Sequence, residues 1–449
     1  MVRRFRLLVS VLPFALAIAA CGGTSDDVPG DAGPLESPDT FALEDTTPAR
    51  RDTAPKDTAP EVDRGTPSDT YPAYASAVPQ LLNAGGYVMV APKIVTVTWP
   101  GDKAADKFEA FGDHIGATNY WKAITAEYGI APATSGPENH VRVLEAPPAK
   151  TTPEELDSYV VERLTNLTAS KWPAPTDDTL YILYLSAGTA LDYMGSNACL
   201  RIGGYHTSTQ VAGHEVSYAI IPYCRGFGGG YFDSMTSAAS HEIGEAATDP
   251  QPRYARGYDG FDLKHVAWEI FQNLLVENGD SCALYQDSFY HAEEPDFSYQ
   301  VQRQWSNKNA AAGHDPCAPA LDEPYFNVVP QSLEAITVNL SSFGLATKAH
   351  TLGYGIAVGE TRTFTVGFTS DAPMDRFTID ALEGNPIYGG GSGDHLDVSV
   401  VGATGKNGEL GYVTVKVLAA GKYKYELLTI VSTNAAGTAH YMPILISSP

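Results

Sequence analysis

The pattern of apolar and polar positions divides the chain into three stretches. Arg3, Arg4 and Arg6 precede one apolar run, Leu7 to Ile18; from 22 to 70 apolar residues are thin among Asp, Thr and Pro; from 71 onward periodic segments follow one another. In that last stretch Ile94-Val95-Thr96-Val97-Thr98-Trp99 is a β-branched run closed by Pro100-Gly101, and it predicts a strand. Lys103 to Ile115 and Tyr120 to Tyr128 carry apolar residues at helical spacing. His140 to Leu144 predicts a short strand, and Thr152-Pro153-Glu154-Glu155 marks the start of a helix running to Leu167. Leu180 to Leu185 is a continuous apolar run, the mark of a strand buried on both faces, and Val216 to Tyr223 is a second. The Gly-rich stretch between them, with Cys199 and His206, is expected to be irregular. Asp233 to Thr248 predicts an alanine-rich helix capped by Asp233 or Ser234 and stopped by Asp249-Pro250.

From about Pro324 the helical pattern gives way to short alternating runs: 335–340, 362–368, 396–401, 412–417, 423–431 and 440–446. Turn signals such as Lys406-Asn407-Gly408 separate them, a spacing that predicts an immunoglobulin-like β-sandwich. The expected organisation is a signal peptide over 1–20, a tether over 21–70, an α+β domain over 71–322 and an all-β sandwich over 323–449. The basic start and the apolar run have the form of a secretory signal, too short to span a bilayer. Ile18-Ala19-Ala20-Cys21 resembles a bacterial lipobox, which implies lipid on Cys21 and an exported, membrane-anchored protein at the cell envelope or surface.

Composition sharpens this picture. The 449 residues carry a formal charge of −24, which excludes nucleic acid as a partner, since its binders need a basic footprint. Residues 22–70 hold 12 acidic and 4 basic side chains and almost no aromatics. Such a segment cannot offset the entropy of ordering, so an extended spacer is expected. Of 5 cysteines, Cys21 belongs to the anchor, and Cys199, Cys224, Cys282 and Cys317 remain as an even set suited to disulfides in an exported chain. Three pairings are open; Cys199–Cys224 and Cys282–Cys317 are favoured because each closes a local loop. None has the C-x-x-C spacing of a zinc knuckle.

The chemistry concentrates in Ser240-His241-Glu242-Ile243-Gly244-Glu245. On a helix His241 and Glu245 share one face, a turn apart, where an imidazole nitrogen and a carboxylate oxygen hold one metal ion. Glu242 beside them is placed to act as general base on water. This is the H-E-x-x-H arrangement with glutamate for the second histidine. The flanking Ala238, Ala239, Ile243, Ala246 and Ala247 predict a buried helix, and buried carboxylates need partners or a cation.

This helix, followed by Asp249-Pro250, by Glu277-Asn278-Gly279-Asp280-Ser281-Cys282 and by Gln304-Trp305-Ser306-Asn307 ahead of Cys317, resembles the plant phosphate-induced, Exordium-like proteins. Those proteins carry H-E-x-x-E, an N/D-P after it and an E-x-G/A-D-x-C block; Tyr120-Trp121 and Tyr128-Gly129-Ile130 resemble them too. The resemblance covers roughly 71–320 and implies a fold and a site rather than a reaction. The order of elements also resembles the zincin metallopeptidases, with Val216 to Tyr223 expected as the antiparallel edge strand before the active-site helix. The chain lacks their second histidine and the G-x-x-H continuation.

The expected ligands of one divalent metal, zinc first and calcium second, are therefore His241 and Glu245, with Asp280 or Glu277 and then Asp249 as the third. His206 is expected to be an exposed loop residue, and Glu269 and His265 to lie on a helix surface. Two functions follow. One is a metallopeptidase-like hydrolase acting on peptide. The other is a non-catalytic surface or adhesion module that binds cell-wall or extracellular carbohydrate, with the helix as a structural polar cluster or a calcium site.

Overall fold

The computed structural model describes residues 63–226, 229–274, 276–340, 348–391 and 393–448. The signal segment, Cys21 and the tether up to residue 62 lie outside the described residues.

Five strands build the first sheet. They are β1 (Lys93–Thr98), β2 (His140–Arg142), β3 (Thr179–Tyr184), β4 (Tyr205–Val211) and β5 (His214–Ile221), in the order β2-β1-β3-β5-β4. β1 runs parallel to β2 and β3, and β3 runs parallel to β5; β4 alone is antiparallel and forms one edge, with β2 at the other. The strand period of two splits their side chains between two cores. Ile94, Leu180, Ile182, Ala219 and Ile221 face α1 (Ala105–Ile115) and α3 (Tyr231–Thr248). Val95, Val97, Tyr181, Leu183, Tyr218 and Ile220 face α2 (Pro153–Thr165) through Leu156, Val160 and Leu164. Because both faces are covered, β3 is buried along its whole length, as its continuous apolar run predicts.

Two expectations change here. The edge position belongs to β4, and the run at 216–223 forms the inner strand β5. β4 is hidden in the sequence because Tyr-His-Thr-Ser-Thr-Gln-Val is polar, yet it pairs with β5 over seven residues. The helix α3 begins at Tyr231, two residues before the expected start; Gly230 precedes it, and the Asp233 carboxylate accepts a hydrogen bond from the Gly230 N–H at 3.3 Å. At its other end Asp249 leaves helical geometry, with φ −142° and ψ 71°, ahead of Pro250.

After a hairpin, β6 (Phe289–Glu294) and β7 (Phe297–Gln302), the chain enters two further sheets. One has four antiparallel strands in the order 326–330, 361–370, 410–417, 396–401. The other has six, in the order 334–339, 348–355, 439–447, 425–433, 377–383, 404–405, antiparallel except for the parallel pair of 348–355 with 439–447. Phe364, Val366, Val413 and Val415 from the first and Tyr354, Ile430, Ile444 and Ile446 from the second fill one core, a sandwich packing. The expected runs reappear as strands, and Phe326–Pro330, Lys348–Gly355 and Phe377–Glu383 join them.

The sandwich core does not end at residue 323. Phe261, Trp268 and Trp305 belong to the same buried cluster, and Val266 and Phe271 pack with Ile336, Val338 and Leu445 in another. The tether boundary at 70 also shifts, because Ser68 N–H donates to Asn407 O at 2.8 Å and Gly65 bridges Glu409 on the sandwich. From Arg64 onward the chain belongs to one compact unit. Among the described residues no helix is long and apolar enough to cross a membrane. Both favoured disulfides, Cys199–Cys224 and Cys282–Cys317, are formed, a pattern of chains folded in an oxidising compartment.

Candidate metal centre

α3 presents His241, Glu242 and Glu245 toward two other elements, the edge strand β4 and the loop that leads into the short helical turn Asp280–Ala283. From the loop, Asp280 brings Oδ1 to 3.7 Å from His241 Nε2, while Glu245 Oε1 lies 3.1 Å and Glu242 Oε1 3.9 Å from the same nitrogen. Asp280 N–H donates to Glu245 Oε1 at 2.9 Å. The loop can come this close because residue 279 is glycine: a Cβ there would stand 2.7 Å from His241 Nδ1 and 2.8 Å from Glu245 Oε1. Cys282 ties the loop to Cys317, and Trp305 N–H donates to Asn278 O at 2.7 Å.

From β4 comes His206, paired in register with Ala219 and so on the α3 side of the sheet. Its Nδ1 lies 3.3 Å from Glu242 Oε2 and 3.4 Å from Glu245 Oε2, and its Nε2 lies 3.6 Å from Glu277 Oε1. The expectation of an exposed loop histidine is overturned, since its side chain is 3% exposed. Glu242 and Glu245 are as deeply buried, whereas His241, Glu277 and Asp280 are 15–23% exposed and form the open rim. The residues gather into two sets that share Glu245: His206 with Glu242 and Glu245, and His241 with Glu245 and Asp280. Glu277 joins the His206 side. Asp249 stands apart, with Oδ1 accepting from Gly257 N–H at 2.9 Å and Oδ2 buried without a hydrogen-bond partner; its main-chain oxygen, not its carboxylate, meets His206.

Hydrogen bonds on the far side of each ring fix its tautomer. Gln302 Nε2 donates to Gly279 O at 2.6 Å, so Gln302 Oε1 faces His241 Nδ1 at 3.0 Å and accepts its proton. Asp249 O accepts from His206 Nε2 at 3.1 Å. In the neutral imidazoles the lone pairs of His241 Nε2 and His206 Nδ1 therefore point at carboxylate oxygens, an arrangement that calls for a cation or a proton between them.

The electrostatics follow from burial among like charges. Burial pushes the Asp280 carboxyl up, and Glu245 adds to it, to about 8. Burial also raises Glu277 well above the carboxylate range, against the pull of His206. Glu242 is raised by burial despite His241. Burial would raise Glu245 too, but His241 and His206 on either side outweigh it and hold the carboxyl below its usual range. Burial disfavours charge on both imidazoles, yet the surrounding carboxylates lift His206 and His241 well above ordinary histidine.

The donor set fits a divalent metal. Ligands about 2.0–2.1 Å from a tetrahedral zinc ion lie about 3.3–3.4 Å from one another, and the His241 Nε2 to Glu245 Oε1 separation is 3.1 Å. Imidazole nitrogen in both sets favours zinc over calcium, which takes oxygen ligands. A third gathering, Glu383, His395 and Glu426 in the sandwich, has a different part: Glu383 Oε2 accepts the main-chain N–H of His395 and Leu396 and pins that turn.

No protein family matches the chain, and no curated protein does. Among solved structures, a lipoprotein from Bacteroides thetaiotaomicron is 8% identical with a TM-score of 0.18, covering 29% of this chain and 85% of its own. The tandem Ig repeats of Dlar are 16% identical, TM-score 0.17, over 28% of this chain and 47% of theirs. A nucleoside hydrolase-related hypothetical protein from Saccharophagus degradans is 10% identical, TM-score 0.24, over 80% of this chain and 100% of its own. TM-scores of this size bear on neither fold nor site, and the functional reading rests on the residues themselves.

Proposed function

We propose that the protein is an exported, lipid-anchored metallopeptidase-like hydrolase with one divalent metal, zinc, held by His241, Glu245 and Asp280. The observation that carries this reading is the His241 lone pair directed at the Glu245 and Asp280 carboxylates, with Gln302 holding the other ring nitrogen. A bound zinc would supply a Lewis acid and lower the pKa of a coordinated water. Glu242 would serve as the base for a water proton at Oε1, the oxygen that faces the His241 side. Burial raises the Glu242 carboxyl from its ordinary value, against the pull of His241. His241 and Asp280 stand at the exposed rim, where a substrate carbonyl can reach them.

The five-stranded sheet, its antiparallel edge strand β4 and the H-E-x-x-E helix after it support a zincin-like and Exordium-like reading of the α+β part. An edge strand beside the pocket suits an extended peptide, which adds to a sheet through main-chain hydrogen bonds. We read the sandwich as immunoglobulin-like, a module that holds the hydrolase on its target surface, and Cys21 as the lipid attachment to the membrane.

Metal content and hydrolysis of an unfolded protein substrate test the proposal on the full mature chain. Zinc is expected in the wild type and lost in His241→Ala; Glu242→Gln keeps the metal and loses about 10²–10⁴-fold in rate. A chain that binds no zinc, or that binds it and cuts nothing, contradicts the hydrolase reading. A Cys21→Ser chain is expected in the soluble rather than the membrane fraction.

A further inference from the structure

The two ligand-ready histidines do not converge on one point. They fall in separate sets whose common member is Glu245, with Oε1 toward His241 Nε2 at 3.1 Å and Oε2 toward His206 Nδ1 at 3.4 Å. One carboxylate with an oxygen directed at each of two imidazoles is the geometry of a bridging ligand between two metal ions. Two-metal hydrolytic sites hold their ions about 3.5–4 Å apart, a spacing a bridging carboxylate spans.

The charge inventory points the same way. Glu242, Glu245, Glu277 and Asp280 surround the two histidines, and among the described residues none of the four forms an ion pair with lysine or arginine. A single divalent ion neutralises half of them, whereas two balance all four. His206 itself is prepared as a ligand: the Asp249 carbonyl holds its Nε2 proton, so Nδ1 faces Glu242 and Glu245 with a free lone pair.

We infer that the pocket is a dinuclear centre, with a second divalent transition-metal ion held by His206 Nδ1, Glu242 Oε2 and the bridging Glu245 Oε2. The inference rests on the mononuclear reading above and adds one ion to it. Glu242 then anchors the buried ion with one oxygen and keeps Oε1 beside the rim ion. His206, on the sheet edge, couples β4 to the metal pair.

Native mass spectrometry of the full mature chain saturated with zinc counts the ions directly. Two per chain are expected, falling to one in His206→Gln, with circular dichroism confirming that the variant folds. Cobalt(II) or manganese(II) loaded into the wild type is expected to give the exchange-coupled magnetic resonance spectrum of a close pair, a readout that needs no variant. One ion per chain, with uncoupled spectra, overturns the inference and leaves the mononuclear proposal standing. Two ions retained in folded His206→Gln overturn the assignment of His206. No ion at all overturns both readings.

Discussion

Gly279 is constrained by contact, not by conformation. Its φ of −74° suits any residue, yet a methyl group there would overlap the His241 ring and the Glu245 carboxylate. Gly279→Ala is therefore expected to push the loop off α3, to cost about 1–3 kcal/mol and to weaken zinc binding; melting with and without zinc measures both. Glu269 offers a pH test away from the metal. It is partly buried, contrary to the expectation of a surface residue, and burial lifts its carboxyl from 4.5 to about 6 although Phe261 N–H bonds to it. The fold thus favours the protonated form. That stability is present in full below pH 4.5 and is lost as pH rises through 6. Glu269→Gln keeps an acceptor for Phe261, so above pH 7 it is expected to be more stable than wild type by about 1–2 kcal/mol, with no gain at pH 4; a gain equal at both pH values contradicts this. His241, Glu242 and Glu245 were legible because helical periodicity puts them on one face. His206 was not, because its strand is polar and its partners lie 36 and 39 positions along the chain. The signal for it was Tyr205 to Val211, whose Thr, Tyr and Val content suits a strand.

At the level of elements, the Cys282–Cys317 bridge holds the loop that carries Glu277 and Asp280 and closes 35 residues of chain. Its removal by Cys282→Ser/Cys317→Ser is expected to cost about 3–4 kcal/mol and to weaken zinc binding, because Asp280 loses its tether. Denaturant melts and a zinc titration check this together. The Cys199–Cys224 bridge lies ahead of α3, and breaking it is expected to lower stability with a smaller effect on zinc affinity. Strand β3 and the sandwich strands could be read from apolar runs and alternation. The edge position of β4 could not, because β5 carries the stronger apolar pattern and the long-range pairing of β5 with β3 is what leaves β4 outside.

Across the whole molecule, the boundary at 322–323 is a change of sequence pattern but not a gap in packing. Trp268, Trp305 and Phe261 are buried in the sandwich cluster, and Asn385 Nδ2 donates to Phe271 O at 2.7 Å. Each large side chain buried there contributes on the order of 1.5–3 kcal/mol. Cutting the chain at 322 would expose them, so the full chain is expected to unfold in a single calorimetric transition and a 71–322 fragment to aggregate; two separate transitions would contradict the shared core. The proposed chemistry depends on a divalent metal between His241 and Glu245. Anomalous diffraction at the zinc edge from crystals of the full mature chain locates that ion. A peak about 2.0–2.2 Å from both His241 Nε2 and a Glu245 oxygen is expected. An ordered pocket with no peak, its imidazoles hydrogen-bonded directly to Glu242, Glu245 and Asp280, would contradict it.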